Sequence, residues 1–145
     1  MSDLPATTGD GWAASSLDEL GEGPGFRKIR QAIEVEQMGV NAIVLPGRYQ
    51  TGFHWHDEQE EVYFVHQGSI FFEFGDGSEI SVGAGGVVRV DAQTRRRIRN
   101  EQSEEAVVVV FGAKGGYVGR DGRMAEEAAD GGGAPGARAG GPLAD

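Results

Sequence analysis

Two of the chain's three histidines, His54 and His56, are separated by a single residue. In an extended strand, residues i and i+2 share a face and lie roughly 6–7 Å apart. Their imidazoles can therefore converge on one cation, at nitrogen–metal distances of about 2.1 Å. Glu60 and Glu61 follow, then the alternating run Val62-Tyr63-Phe64-Val65 and Gly68. If Glu61 opens that strand facing inward, Tyr63 and Val65 share its face while Val62, Phe64 and His66 take the other. A carboxylate aimed into a β-structure is costly unless something pairs with it. Two imidazoles holding a cation are one such partner, and two nitrogens with one carboxylate oxygen suit Fe(II), Mn, Ni or Zn. His54, His56 and Glu61 are the candidate metal ligands. A one-residue slip would bring in Glu60 or His66, but the alternation argues against His66.

Elements able to position these groups are short and β-rich. The runs Phe26–Ala32, Asn41–Leu45, Phe53–His56, Val62–His66, Ser69–Phe74, Glu79–Val82, Val87–Val90, Arg95–Asn100 and Ala106–Phe111 are rich in Val, Ile, Phe and Tyr. Gly, Asp, Asn or Pro bound them, as expected of strands. Gly75-Asp76-Gly77-Ser78 predicts a hairpin turn. No amphipathic helix of useful length and no internal repeat interrupts the series, so an all-β sandwich, jelly roll or barrel is expected. Residues 26–112 form the expected folded unit. Residues 1–25 read as a flexible arm around one anchor, Trp12, which is expected to pack on the domain or on a partner subunit. Residues 113–145 are dominated by Gly and Ala, with Tyr117, Val118, Met124 and Leu143 as the larger apolar groups. Such a stretch buries too little surface to offset its ordering entropy and is expected to be disordered.

Composition narrows the function classes. The 145 residues carry 13 Lys plus Arg against 23 Asp plus Glu, a formal net charge of -10. That balance repels a phosphate backbone and argues against nucleic-acid binding. Without cysteine there are no disulfides, no thiolate nucleophiles and no Cys-ligated metal. The longest apolar run, Ala106–Phe111, falls far short of the roughly 20 residues a membrane helix needs. The acidic start lacks a secretory n-region and h-region. A cytoplasmic protein with no membrane partner is the expectation.

At the level of motifs, the chain resembles the cupin superfamily. The first cupin motif is written G-x5-H-x-H-x3,4-E-x6-G, and His54, His56, Glu61 and Gly68 match its later part. Gly47 precedes His54 by six intervening residues instead of five. The second motif, G-x5-P-x-G-x2-H-x3-N, matches at Gly85 and Asn100, with Asp91, Gln93 and Arg96 in place of its proline, middle glycine and histidine. The resemblance implies a double-stranded β-helix (jelly-roll) barrel, a homodimer, and a site inside the barrel taking a divalent transition metal and a small-molecule ligand or substrate. Dioxygenation, isomerisation and decarboxylation fall within what it implies; members using a Cys–Tyr crosslink do not fit a cysteine-free chain.

Arg96 is the informative departure. In metal-binding cupins the matching histidine is the fourth ligand, and a guanidinium has no lone pair to donate. Alternation places Arg96, Ile98 and Asn100 on one face of their strand and Arg95, Arg97 and Arg99 on the other. The outward arginines read as a strand face answering acidic neighbours such as Glu101, Glu104 and Glu105, rather than as a phosphate site. Two outcomes compete for Arg96. Either it pairs with Glu61 and closes a metal-free binding or sensor pocket, or a metal sits on His54, His56 and Glu61 while Arg96 orients an anionic substrate. Arg96, Tyr63 and Asn100 are the candidate substrate-binding residues.

Overall fold

A computed structural model describes residues 3–125. The rest of the expected tail, 126–145, lies outside the described residues. Near the N-terminus, Thr7–Gly9 (β1) and Trp12–Ala14 (β2) form a hairpin, followed by Gly25–Arg27 (β3) and a short helix, Ile29–Ile33 (α1). The barrel continues with Gly39–Leu45 (β4), Tyr49–Gln50 (β5), His54–His56 (β6), Glu60–Gln67 (β7) and Ser69–Phe74 (β8). Glu79–Gly83 (β9), Val87–Val90 (β10), Arg96–Asn100 (β11), Ala106–Ala113 (β12) and Gly122–Met124 (β13) complete it. Two antiparallel sheets result. One has the order β10-β7-β12-β4-β3; the other runs β13-β6-β11-β8-β9, with β5 also paired to β11. The chain is an all-β jelly roll, as the short alternating runs require.

Alternation places the core between the sheets. Along β7, Glu61, Tyr63 and Val65 are buried while Glu60, Val62 and His66 are exposed. Tyr63 and Val65 join Ile43 and Leu45 of β4, Ile70 and Phe72 of β8, Ile98 of β11 and Val108 and Val110 of β12 in one apolar cluster. Between β7 and β8 the chain turns at Gly68, whose φ of 81° lies in the left-handed region that glycine enters without penalty. That accounts for a glycine at the end of the first motif.

Three expectations are corrected. Phe26–Ala32 is not one strand: only Gly25–Arg27 pairs with β4, and α1 follows. The reason is periodicity, since Ile29, Ala32 and Ile33 fall at i, i+3 and i+4 and form an apolar helical stripe. The N-terminal arm is also more organised than its glycines suggest. Leu17 and Ile29 pack against Ala42, Val44 and Val107 on the outer face of the five-stranded sheet. Buried Arg27 ties the arm down by donating to the carbonyls of Leu17 (3.1 Å) and Gly23 (2.8 Å). Trp12 does not pack on the domain; it is 57% exposed and lies against Gly9 across the β1–β2 hairpin. Finally, ordered structure does not stop at Gly112, because β12 runs to Ala113 and β13 pairs with β6. Backbone pairing and one buried carboxylate, Asp121, hold this segment, and neither registers in a count of apolar residues.

Phe72 is fully buried and meets Tyr63 edge-to-face, with ring centroids 5.2 Å apart. Phe72→Ala is expected to cost roughly 3–5 kcal/mol, read as a lower urea midpoint; a loss under about 1 kcal/mol would contradict this packing.

Candidate metal centre

β6 and β7 deliver the ligand-type side chains. His54 and His56 share the inward face of β6, and their rings meet nearly perpendicular with centroids 5.2 Å apart. Glu61 projects from the second position of β7 and is fully buried. One ligand atom from each of His54, His56 and Glu61 lies within 4.8 Å of the others. His54 has 15% of its side chain exposed, while His56 is 2% exposed.

Arg96 sets the electrostatics. It sits opposite His54 in the β11–β6 register, fully buried. Nη2 donates to Glu61 Oε1 at 2.8 Å, and Nη1 donates to the carbonyls of Ala92 (3.1 Å) and Thr94 (2.6 Å). Nε donates to Tyr63 Oη at 3.3 Å, and the Tyr63 hydroxyl donates to the same Glu61 oxygen at 2.7 Å. Oε1 is thus occupied twice. Oε2 receives no hydrogen bond, and neither does His54 Nε2 or His56 Nε2. His56 Nε2 lies 3.1 Å from Oε2 but out of hydrogen-bond alignment. These three buried atoms lie within reach of one another, and each is costly to bury if nothing meets it. The donor set therefore fits a divalent transition ion.

The same contacts fix the protonation tendencies. Burial would push Glu61 up, but His54, His56 and Arg96 outweigh it and hold the carboxyl well below the usual range. Burial pushes His54 below the ordinary imidazole value, against the pull of Glu61. Burial also acts to lower His56, yet Glu61 and Asp121 prevail and hold it above that value. At neutral pH the site presents a carboxylate and a neutral His54, the forms that coordinate metal.

The candidate substrate-binding residues Arg96, Tyr63 and Asn100 are all buried. Asn100 is 1% exposed, with Nδ2 facing the carbonyls of Leu45 (3.4 Å), Pro46 (3.1 Å) and Glu104 (2.7 Å) while Oδ1 accepts from Gln102 N. It ties together the loops at the end of β11. Tyr63 is 1% exposed and its hydroxyl serves Glu61. Arg96 does reach the cluster, but as the partner of Glu61. The outward arginines form a half-buried face. Arg97 stacks over Phe53 and pairs with Glu73, and Arg99 stacks over Phe71 and pairs with Glu79 and Glu101.

Sequence reasoning missed three groups here. Asp121 Oδ1 lies 2.9 Å from His56 Nδ1. The Gln59 side chain donates to Asp121 and Val118, and its Oε1 sits where a side chain at position 112 would have to be, which explains Gly112. Asn41, fully buried on β4, leaves both amide atoms unpaired. Only Gly112 left a trace in the sequence, as a glycine ending an apolar strand.

Comparison with known proteins agrees with the geometry. The family described as Cupin domain matches residues 41–112. Among solved structures, a cupin protein from Bacteroides fragilis aligns at 19% identity and a TM-score of 0.62, covering 74% of this chain and 88% of that one. A conserved Klebsiella pneumoniae protein with a double-stranded β-helix domain aligns at 17% identity and a TM-score of 0.62, covering 78% and 96%. A sugar phosphate isomerase from Silicibacter pomeroyi aligns at 19% identity and a TM-score of 0.60, covering 81% and 67%. The chain spans 63% of the length of a further match, from Photorhabdus luminescens. At these identities the likeness is one of fold. No curated protein sequence matches the chain.

Glu61→Gln leaves the buried Arg96 guanidinium without its counter-charge and is expected to cost roughly 3–5 kcal/mol at pH 7. The depressed Glu61 contributes stability that is present above its unfolded value near 4.5 and lost as pH falls through the lower folded value. The gap in melting temperature between wild type and Glu61→Gln should therefore narrow on acidification from about pH 5 to pH 3. A constant gap across that range would contradict the pairing.

Proposed function

The chain belongs to the cupin superfamily, and from that premise we propose that His54, His56 and Glu61 bind one divalent transition metal at which a small anionic molecule is bound and transformed. The observation that carries this reading is the set of unsatisfied atoms, His54 Nε2, His56 Nε2 and Glu61 Oε2, within reach of one another and buried. Iron, manganese, nickel or zinc held there supplies Lewis acidity, and iron or manganese redox chemistry as well.

The chain's own residues define what such a site accepts. Glu61 offers a single oxygen, because Arg96 and Tyr63 hold the other. The charges of Glu61 and Arg96 cancel, so the two positive charges of an added ion are left for an exogenous ligand to answer. An anion is favoured there, and a buried setting strengthens the preference. A sugar phosphate, named in the Silicibacter pomeroyi relative, is one molecule of that class. With three protein ligands, roughly half the positions of an octahedral ion stay open. Isomerisation, decarboxylation or dioxygenation all need such open positions.

A second reading is supported by the Arg96–Glu61 pair itself, 2.8 Å long with both side chains fully buried. In it the pair closes a metal-free pocket and the protein binds or senses a small molecule. The outer face of the five-stranded sheet exposes Val62 (38%) and Val87 (67%), which supports a homodimer; light scattering at a single chain mass would reject it. Among the described residues no helix is long and apolar enough to cross a membrane. We read the protein as cytoplasmic, and the charge of -10 as unsuited to nucleic acid.

Elemental analysis of protein from metal-supplemented medium separates the two readings. About one transition metal per chain is expected, lost in His54→Ala. Arg96→His, which puts an imidazole in place of the guanidinium, is expected to tighten metal binding by roughly tenfold or more. Stoichiometry near zero, with a melting temperature indifferent to chelator, would leave the metal-free pocket.

A further inference from the structure

Asp121 lies in neither motif and just ahead of β13, yet it is 7% exposed and faces four donors. Oδ1 meets His56 Nδ1 at 2.9 Å and the side-chain amide of Gln59; Oδ2 accepts from the backbone N–H groups of Glu58 (2.8 Å) and Gln59 (2.9 Å). A carboxylate only accepts hydrogen bonds. His56 Nδ1 must then carry a proton, so that in the neutral ring the lone pair falls on Nε2, on the side of Glu61 and His54. Asparagine fits this place only by turning its amide N–H toward Nδ1 and driving the His56 proton to Nε2, or by setting N–H against the backbone donors of Glu58 and Gln59.

We propose that Asp121 is a positioning residue for the metal centre, which acts through the His56 imidazole and couples occupancy of the His54–His56–Glu61 site to docking of segment 118–125. The inference rests on the metal reading above. Several contacts of the segment run to β6 and its flanks. Asp57 N donates to Asp121 O (3.0 Å), Ala125 N donates to Phe53 O (3.1 Å), and Arg123 pairs with Asp57 at 2.7 Å on the surface. β13 is a three-residue strand at the sheet edge with β6 as its neighbour. Such an edge opens at low free-energy cost by itself. A metal that fixes the His56 ring favours the docked segment, and by linkage the docked segment favours metal to the same degree.

The test uses Co(II) as a coloured probe on the full chain, titrated into metal-free protein. Asp121→Asn is expected to weaken Co(II) affinity roughly 10–100-fold and to shift the visible absorption of the bound ion. Arg123→Ala loosens the same strand without touching His56 and should change affinity by less than about fivefold, the scale of an exposed ion pair. In wild type, saturating Co(II) should slow tryptic cleavage after Arg120 and Arg123, followed by mass spectrometry; this arm decides the matter should Asp121→Asn fail to fold. Affinity within twofold of wild type with an unchanged spectrum, or cleavage indifferent to Co(II), would overturn the role of Asp121 while leaving the metal site standing. Wild type that takes up no Co(II) would remove the metal reading and this coupling together.

Discussion

A buried carboxylate that must be shared organises this barrel. Glu61 is fully enclosed, and an ionised group in that setting survives only with good partners. Arg96 and Tyr63 satisfy one oxygen. The second oxygen is left to two imidazoles that do not hydrogen-bond to it. Two familiar solutions for a buried acid, the ion pair and the metal ligand, therefore coexist on one side chain. The guanidinium is not hydrogen-bonded to the free oxygen: four of its five N–H groups are engaged by Oε1, Tyr63 and the carbonyls of Ala92 and Thr94.

The exchange of imidazole for guanidinium at position 96 changes more than a ligand count. A fourth imidazole would add an electron pair and no charge; Arg96 adds a charge and no electron pair. An ion here keeps more open positions and feels less negative charge from the protein. Both effects weaken intrinsic metal affinity and strengthen the hold on an exogenous anion. Occupancy by metal and by anionic ligand should thus reinforce each other.

Much of this was legible in the sequence, for a definable reason. Strict period-two alternation along Glu61–Val65 and Arg96–Asn100 dictated which side chains enter the barrel, and burial follows it residue by residue. The spacing of His54, His56 and Glu61 fixed the cluster for the same reason. Alternation specifies a face, however, and not a partner. It placed Asn100 inward without revealing that loop carbonyls would consume its amide, and it left open whether Arg96 would meet Glu61 or a ligand. Asp121 was invisible because polar groups hold its segment, against a composition read only for apolar burial. The helix Ile29–Ile33 was hidden by a β-rich beginning, although its i, i+3, i+4 stripe was present.

The central claim is that three lone pairs, on His54, His56 and Glu61, meet at one ion beside an intact Arg96–Glu61 pair. Anomalous diffraction from crystals grown with Mn(II) or Fe(II) tests it most directly. The account predicts one peak at roughly coordination distance from His54 Nε2, His56 Nε2 and Glu61 Oε2, with Arg96 still on Oε1. Density with no peak, and both imidazoles turned to hydrogen-bond Glu61, would contradict it.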